Sequence, residues 1–266
     1  MNWNCILERV SQTESTNEDL IARWRAGELI DPVSRLARHQ TKGKGRAGRR
    51  WFANPQSSLC FSLAYPFARD SQGLHGLSLV CGLAAIKGIA NSLQLPEEKL
   101  HSLGVGLKWP NDLLIHGKKL GGLLIEGGKL ASSSPTEKTW MIIGVGINLE
   151  HSTEIEQSSQ IPIAALAQCN TKQVRIEADL VWLNLLDALG NYLDVFNREG
   201  FAPFQSEWKN WDAYQNQAVE ITEFGKTQYS GIALGVSQEG ALLLEEHPGC
   251  PAKVIYAGDL SLKKRS

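Results

Sequence analysis

The sequence predicts an α+β fold: a central mixed or antiparallel sheet with helices against one face, followed by a small C-terminal β-barrel. Three observations carry this. Between Gly104 and Leu149, four apolar runs are separated by short turn sequences, the pattern of a strand meander. Leu77–Leu93 and Glu177–Phe196 have the length and apolar spacing of helices. Past Tyr214 the chain changes to short alternating runs divided by Gly225, Gly240 and Pro248-Gly249. With 266 residues, and roughly 150 residues to a domain, one large or two unequal domains are expected, and the change past Tyr214 divides the chain into residues 1–214 and a barrel at 215–266.

Taken in order, Glu18–Ala26 reads as a short helix capped by Ser15, Thr16 or Asn17, whose side chains accept from orphan amides, and a loop follows at Gly27. Ser58–Tyr65 reads as a strand ended by Pro66, and Leu77–Leu93 as an apolar helix closed by Leu95-Pro96. Gly104–Trp109, Leu113–His116, Leu120–Glu126 and Trp140–Leu149 read as strands, with turns at Asp112, Gly117-Lys118 and Gly127-Gly128. The Ser- and Pro-bearing tract Ala131–Lys138 suits a mobile surface connection. In Glu177–Phe196 the residues Leu180, Leu183, Leu186, Leu189, Leu193 and Phe196 recur at three or four positions and mark an amphipathic helix. Barrel strands are expected at Ala218–Thr222, Tyr229–Val236, Ala241–Glu245 and Lys253–Tyr256.

Composition narrows the function classes. Hydrophobic residues make up 42% and charged residues 21% of the chain, a globular composition that excludes disorder and collagen. The 27 basic and 28 acidic residues leave a net charge of −1, so no overall field gathers nucleic acid or acidic lipid. Five cysteines without a C-x-x-C pair indicate neither a disulfide framework nor a zinc ribbon and fit a reducing cytoplasm. The apolar run Leu77–Ile86 stops at Lys87, short of the roughly 20 residues that span a bilayer, and Met1–Val10 does not read as a secretory signal.

Three clusters carry chemistry. Arg35, Arg38, Lys42, Lys44, Arg46, Arg49 and Arg50 form a basic stretch without an acid, which suits an anion. Within it Gly43-Lys44-Gly45-Arg46-Ala47-Gly48 fits G-x-G-x-x-G, but no helix follows to present its N-terminal amides to a pyrophosphate. A phosphate-wrapping loop, a solvated basic loop, and a nucleic-acid patch with Trp51 and Phe52 stacking are the readings it allows. The second cluster is Lys108-Trp109-Pro110-Asn111-Asp112 with Lys118–Glu126, a hairpin in which Asp112 meets a metal or an amine and Lys119 projects toward a ligand beside Gly121 and Gly122; a lysine-bearing turn with tight Gly-Gly packing is its plainer reading. The third, Ile143-Gly144-Val145-Gly146-Ile147-Asn148, is a strand whose glycines leave room for a flat ligand, or for close packing under a helix.

In this order these residues resemble the biotin protein ligase family: Ser15-Thr16-Asn17, Gln40 with the Gly43–Arg49 loop and Trp51, Lys108–Asp112, Lys119–Glu126 and Gly144–Asn148. The basic loop usually reads G-R-G-R-x-G-R; here Lys44 replaces the first Arg, which keeps the charge but not a bidentate fork. The resemblance implies a class II synthetase-like catalytic domain with an SH3-like terminal barrel, and a two-step reaction. Biotin is activated by ATP as biotinyl-5′-AMP and passed to a lysine of the biotin carboxyl carrier protein of acetyl-CoA carboxylase. It places Ser15, Thr16, Asn17, Gln40, Gly43, Lys44, Gly45, Arg46, Lys119 and Gly122 around biotin. Arg46, Arg49, Trp51, Lys108, Asn111 and Asn148 fall around ATP or the adenylate, with Trp51 stacked on adenine. Lys119, Arg46 and Asp112 are the implied catalytic set, Asp112 orienting or deprotonating the acceptor lysine. Mg²⁺ is expected with ATP, held mainly by phosphate oxygens.

Only 14 residues precede Ser15, too few for the helix-turn-helix domain that some family members carry, so a form without DNA binding is expected. No membrane partner is expected, and a homodimer is left open. A lipoate ligase shares the fold class and chemistry and is the nearest enzyme alternative; a nucleic-acid-binding module is the alternative from another class, discriminated by a steep salt dependence.

Overall fold

The computed structural model describes residues 3–129, 138–223, 226–256 and 260–264. The chain opens with β1 (Ile6–Thr13), α1 (Thr16–Arg25) and β2 (Val33–Gln40). Ser15 is the residue that caps α1: its backbone is extended and its side chain accepts from the Glu18 N–H. Glu18 and Asp19 in the first turn and Arg23 and Arg25 in the last complement the helix dipole. Because a helix joins them, β1 and β2 pair in parallel.

A two-stranded hairpin follows, β3 (Gly43–Lys44) and β4 (Arg50–Trp51), and then β5 (Ser58–Phe67). The strand β5 does not stop at Pro66 as expected. Its pairing with β2 ends at Ala64, so on that side Pro66 has no neighbour and a residue lacking an N–H is tolerated.

Next come α2 (Leu77–Leu93), α3 (Glu97–Ser102), β6 (Val105–Lys108), β7 (Asp112–Ile115), β8 (Lys118–Gly128) and β9 (Thr139–Asn148). Lys87 does not end the apolar segment: it is an exposed position of α2 and pairs with Glu97 at 2.7 Å. The helical segment Gln72–Leu93, of which α2 is the larger part, is long and apolar enough to cross a membrane by composition, but most of that stretch is buried inside the protein. Gly127 and Gly128, expected in a turn, extend β8 opposite Met141 and Trp140. Gly127 has φ +137°, and a Cβ there would lie 2.2 Å from the Trp140 carbonyl, so only glycine lets the strand continue. The expected loop Ala131–Lys138 falls, apart from its last residue, outside the described residues.

These strands form one mixed sheet in the order β1-β2-β5-β9-β8-β7-β6, with β1-β2 its parallel pair. After α4 (Thr153–Ser159) the amphipathic segment becomes α5 (Ala178–Glu199), followed by α6 (Gln205–Trp211). The helices do not all lie on one face. On β9, Ile143, Val145 and Ile147 join the main core with α2 and α5, whereas Ile142 packs with Leu20 and Ile21 of α1. The period of two along a strand therefore puts α1 on the opposite face, together with Gly144 and Gly146.

The C-terminal strands β10 (Ala218–Glu223), β11 (Lys226–Val236), β12 (Leu242–Glu245), β13 (Lys253–Ile255) and β14 (Leu260–Lys264) form an antiparallel sheet in the order β13-β12-β11-β10-β14. It has one strand more than expected, because β14 pairs along the free side of β10. The expected turn at Gly225 lies outside the described residues. Val219, Ile221, Val236, Leu242 and Leu262 belong to the same apolar cluster as Trp109 and Trp208, so the two sheets share a core.

Candidate functional site

The α1 face of the large sheet carries a cavity of about 310 Å³. Its floor is β9, and the two glycines there have a purpose other than receiving a flat ligand directly. A Cβ on Gly144 would stand 2.4 Å from Asn17 Oδ1, and one on Gly146 would stand 2.5 Å from the Trp51 ring. The absent side chains seat two protein groups at the cavity, Asn17 at one end and Trp51 at the other.

The Asn17 end is a buried polar network. Helix α1 brings Thr16 and Asn17 to the cavity with 3% exposure each, and β5 brings Ser62 with 0%. The Thr16 N–H donates to Gln40 Oε1 at 2.9 Å, Thr16 Oγ1 lies 2.7 Å from Ser62 Oγ, and Ser62 Oγ donates to Asn17 Oδ1 at 2.5 Å. Asn17 Nδ2 then donates to Glu126 Oε2 at 2.9 Å. Such hydroxyl and amide groups suit a neutral ligand head rich in N–H and C=O groups.

The opposite end is cationic. Asp112 Oδ1 accepts from Lys119 Nζ at 2.6 Å, and Asp112 Oδ2 from Lys108 Nζ at 2.8 Å, with 12% of the Asp112 side chain exposed. Burial alone would raise the Asp112 pKa, but the ammonium groups of Lys119 and Lys108 outweigh it and hold the carboxyl down to about 2. Two cations around one carboxylate leave an excess positive charge where an anion is received. Lys119 Nζ also stands 5.8 Å from the centroid of the Trp51 ring.

The β3-β4 hairpin covers the cavity, and its glycines open a single 3₁₀ turn, Arg46–Gly48, in place of the α-helix that a dinucleotide fingerprint requires. The tip holds Ala47 and Gly48 in left-handed conformations, and Arg46 Nη1 reaches Asn111 Oδ1 at 3.2 Å. The stretch of seven basic residues is not one anion site. Arg35 pairs with Glu8 and Asp19, Lys42 with Glu14, and Lys44 with Glu18, so acids distant in sequence neutralise that part of the run. Asn148 is buried, its Nδ2 donating to the Lys119 and Ala164 carbonyls at 3.1 Å each, while Oδ1 has no partner among the described residues.

Ser15, Thr16, Asn17, Gln40, Lys44, Gly45, Arg46, Arg49, Trp51, Lys108, Asn111, Asp112, Lys119, Gly122 and Asn148 all line this one cavity. Gly43 is not among the lining residues; it is buried where a Cβ would strike Gln40 Nε2 at 2.6 Å and the Trp51 carbonyl at 2.7 Å. Sequence reasoning missed Ser62, gave Glu126 no task, and did not foresee Ile155, Ile161, Ile163 or Leu262 in the wall. Ser62 had a signal: a serine inside the apolar run Leu59–Ala64 must find a hydrogen-bond partner once buried. Asp112 is the carboxylate among the described lining residues, and no group of three His, Cys, Asp or Glu that could hold a metal occurs among the described residues.

A sheet cavity with a neutral hydrogen-bonding end and a cationic end defines an enzyme-type site for a small acid next to an anionic cosubstrate. Residues 9–148 match the family described as the Biotin/lipoate A/B protein ligase family, and the chain belongs to it. The chain is 37% identical over 255 residues to the Biotin--[acetyl-CoA-carboxylase] ligase of Mycobacterium tuberculosis, covering 96% of this chain and 88% of that one. It is 30% identical over 251 residues to the bifunctional ligase/repressor BirA of Escherichia coli, covering 94% and 72%. Among solved structures, the biotin protein ligase from Aquifex aeolicus in complex with biotin and ATP superposes with a TM-score of 0.75 at 25% identity, over 98% of this chain and 99% of that one.

Proposed function

We propose that this chain is a biotin protein ligase: it activates biotin with ATP as biotinyl-5′-AMP and transfers the biotinyl group to a lysine of the biotin carboxyl carrier protein of acetyl-CoA carboxylase. The observation that carries this reading is the single cavity of a family member in which the Gln40-Thr16-Ser62-Asn17 network faces one end and Lys119 with Lys108 and Arg46 the other. In the first step a biotin carboxylate oxygen attacks the α-phosphorus of ATP, and the bond to the bridging oxygen breaks to release pyrophosphate. In the second, the acceptor amine attacks the acyl carbon and AMP leaves.

The network residues receive the ureido ring, with Ser15, Lys44, Gly45 and Gly122 beside it. Lys119 offsets the repulsion between carboxylate and triphosphate and then the charge that grows on phosphorus. Arg46 and Arg49 meet phosphate, Trp51 stacks on adenine, and the unpartnered Asn148 Oδ1 accepts from the nucleotide base. Asp112 is assigned to holding Lys119 and orienting the acceptor rather than to deprotonating it, because a carboxyl held near 2 is a weak base at neutral pH. One carboxylate already bonded to two lysines does not fit a protein-held Mg²⁺, so the ion is assigned to the phosphates and water. Residues 215–266 are assigned to helping hold ATP or the acceptor, which the position of Leu262 in the cavity wall supports. The five cysteines are free thiols, in keeping with a cytoplasmic setting.

Biotin-dependent exchange of labelled pyrophosphate into ATP tests the reading. Exchange is expected with biotin and not with lipoate, whose dithiolane ring offers no N–H or C=O to the network. Exchange that follows lipoate and ignores biotin overturns it.

A further inference from the structure

We infer that Glu126 and Ser62 are positioning residues that fix the Thr16 hydroxyl as a hydrogen-bond acceptor toward the ligand, an inference that rests on the biotin reading above. Protons can be counted along a chain of four groups, Glu126, Asn17, Ser62 and Thr16. A carboxylate oxygen only accepts, so the Asn17 group 2.9 Å from Glu126 Oε2 is the amide nitrogen; the Leu124 carbonyl, 3.5 Å from the same nitrogen, is too distant to hold that orientation by itself. Asn17 Oδ1 is thereby turned to Ser62 Oγ at 2.5 Å. An amide oxygen has no proton, so Ser62 commits its single one there. In the 2.7 Å contact between Ser62 Oγ and Thr16 Oγ1, the proton then comes from Thr16.

The Thr16 hydroxyl is left with a free lone pair and no free proton. Gln40 Oε1, 3.2 Å away, is the longer of the two contacts open to that proton, and it already accepts from the Thr16 N–H at 2.9 Å. That same bond fixes the Gln40 amide so that its Nε2 remains a donor. Thr16 and Gln40 both line the cavity, and an acceptor beside a donor is the complement of one N–H and the C=O of a cyclic urea. Thr16, Asn17 and Ser62 are each 3% exposed or less, so bulk water is not at hand to reset the directions. The charge that decides the polarity of the Thr16 hydroxyl thus acts through two intervening side chains, Asn17 and Ser62, from β8.

The test measures binding of biotin, and of the two carbamate analogues in which one ureido N–H is replaced by oxygen, to the full chain by calorimetry. Wild type should prefer biotin to at least one carbamate, because an acceptor facing an acceptor forfeits the bond. In Glu126→Gln the partner of Asn17 both donates and accepts, the chain direction is no longer fixed, and biotin affinity should fall about tenfold while affinity for that carbamate changes little, since one net hydrogen bond is at stake. Ser62→Ala removes the relay and should compress the preference in the same way; it decides the matter if Glu126→Gln does not fold. Equal weakening toward biotin and carbamate in folded variants, with the preference intact, would mean a purely structural role and overturn the inference. Failure of wild type to bind biotin at all would instead strike the functional reading.

Discussion

The Lys119 ammonium lies 2.6 Å from Asp112 Oδ1, and the other oxygen of the same carboxylate is held at 2.8 Å by Lys108. Removing one lysine therefore leaves the buried carboxylate with the other. Lys119→Ala should fold normally yet lose about 10²- to 10³-fold in adenylation rate, the usual cost of deleting one electrostatic contact in a closed site. Pyrophosphate exchange with a parallel melting curve checks this, and near-normal exchange refutes the role of Lys119.

The same arrangement makes a statement about acid. The Asp112 pKa is lowered in the folded protein to about 2, so its contribution to stability is fully present above the unfolded carboxyl value and is lost as pH falls toward 2. About 2 kcal/mol of pH-dependent stability is expected from a shift of this size. In Asp112→Asn, the slope of denaturant-derived stability against pH between about 4 and 2 should be shallower than in wild type. An unchanged slope would show that the carboxylate is not held by the lysines.

Arg46 reaches from the hairpin to Asn111 across the cavity. Arg46→Gly removes that tie in a tip where Gly45 and Gly48 already confer freedom, so the closed hairpin should be less populated. Adenylate should still form, since Lys119 and the polar network remain, but escape to water and bystander amines. Incubation with biotin, ATP and an unrelated lysine-rich protein should label that protein far more than wild type does. Equal, negligible labelling with continued pyrophosphate release would show that Arg46 is not the latch.

The two glycines of β9 allow the two substrates to be perturbed separately. Gly144→Ala drives a methyl against Asn17 and should weaken biotin binding with little change in ATP binding; Gly146→Ala drives it against Trp51 and should do the reverse. Overpacking of this kind typically costs about 1–3 kcal/mol. Separate titrations of biotin and a non-hydrolysable ATP analogue would reveal the split, and identical profiles for both variants would contradict the assignment of the two ends.

What the sequence disclosed, and what it withheld, follows the range of each interaction. The span of α2, the α1 cap to within Ser15, Thr16 and Asn17, and the hairpin strands to within one or two residues are set by near neighbours and were readable. Clustered motifs marked nearly all of the cavity's polar lining. The partners that complete the site come from afar: Ser62 meets Asn17 across 45 residues and Asn17 meets Glu126 across 109. The run of basic residues misled for the same reason, since Glu8, Glu14, Glu18 and Asp19 neutralise it from β1 and α1. The glycines of β9 were recognised as space-makers, but only the folded chain shows that Asn17 and Trp51 use the space.

The shared core of the two sheets has a mechanical consequence. Trp109, 1% exposed, donates its indole N–H to the Gly240 carbonyl at 3.2 Å, and two and three residues further on lie Asn111 and Asp112. The indole is a rivet between the two sheets, set beside Asn111 and Asp112. A load applied to the C-terminal sheet is delivered within three residues to the anchor of the hairpin and to the carboxylate that steadies Lys119. The small sheet therefore cannot be unfastened as a passive appendage: pulling it away draws the rivet and slackens the latch and the charge relay together.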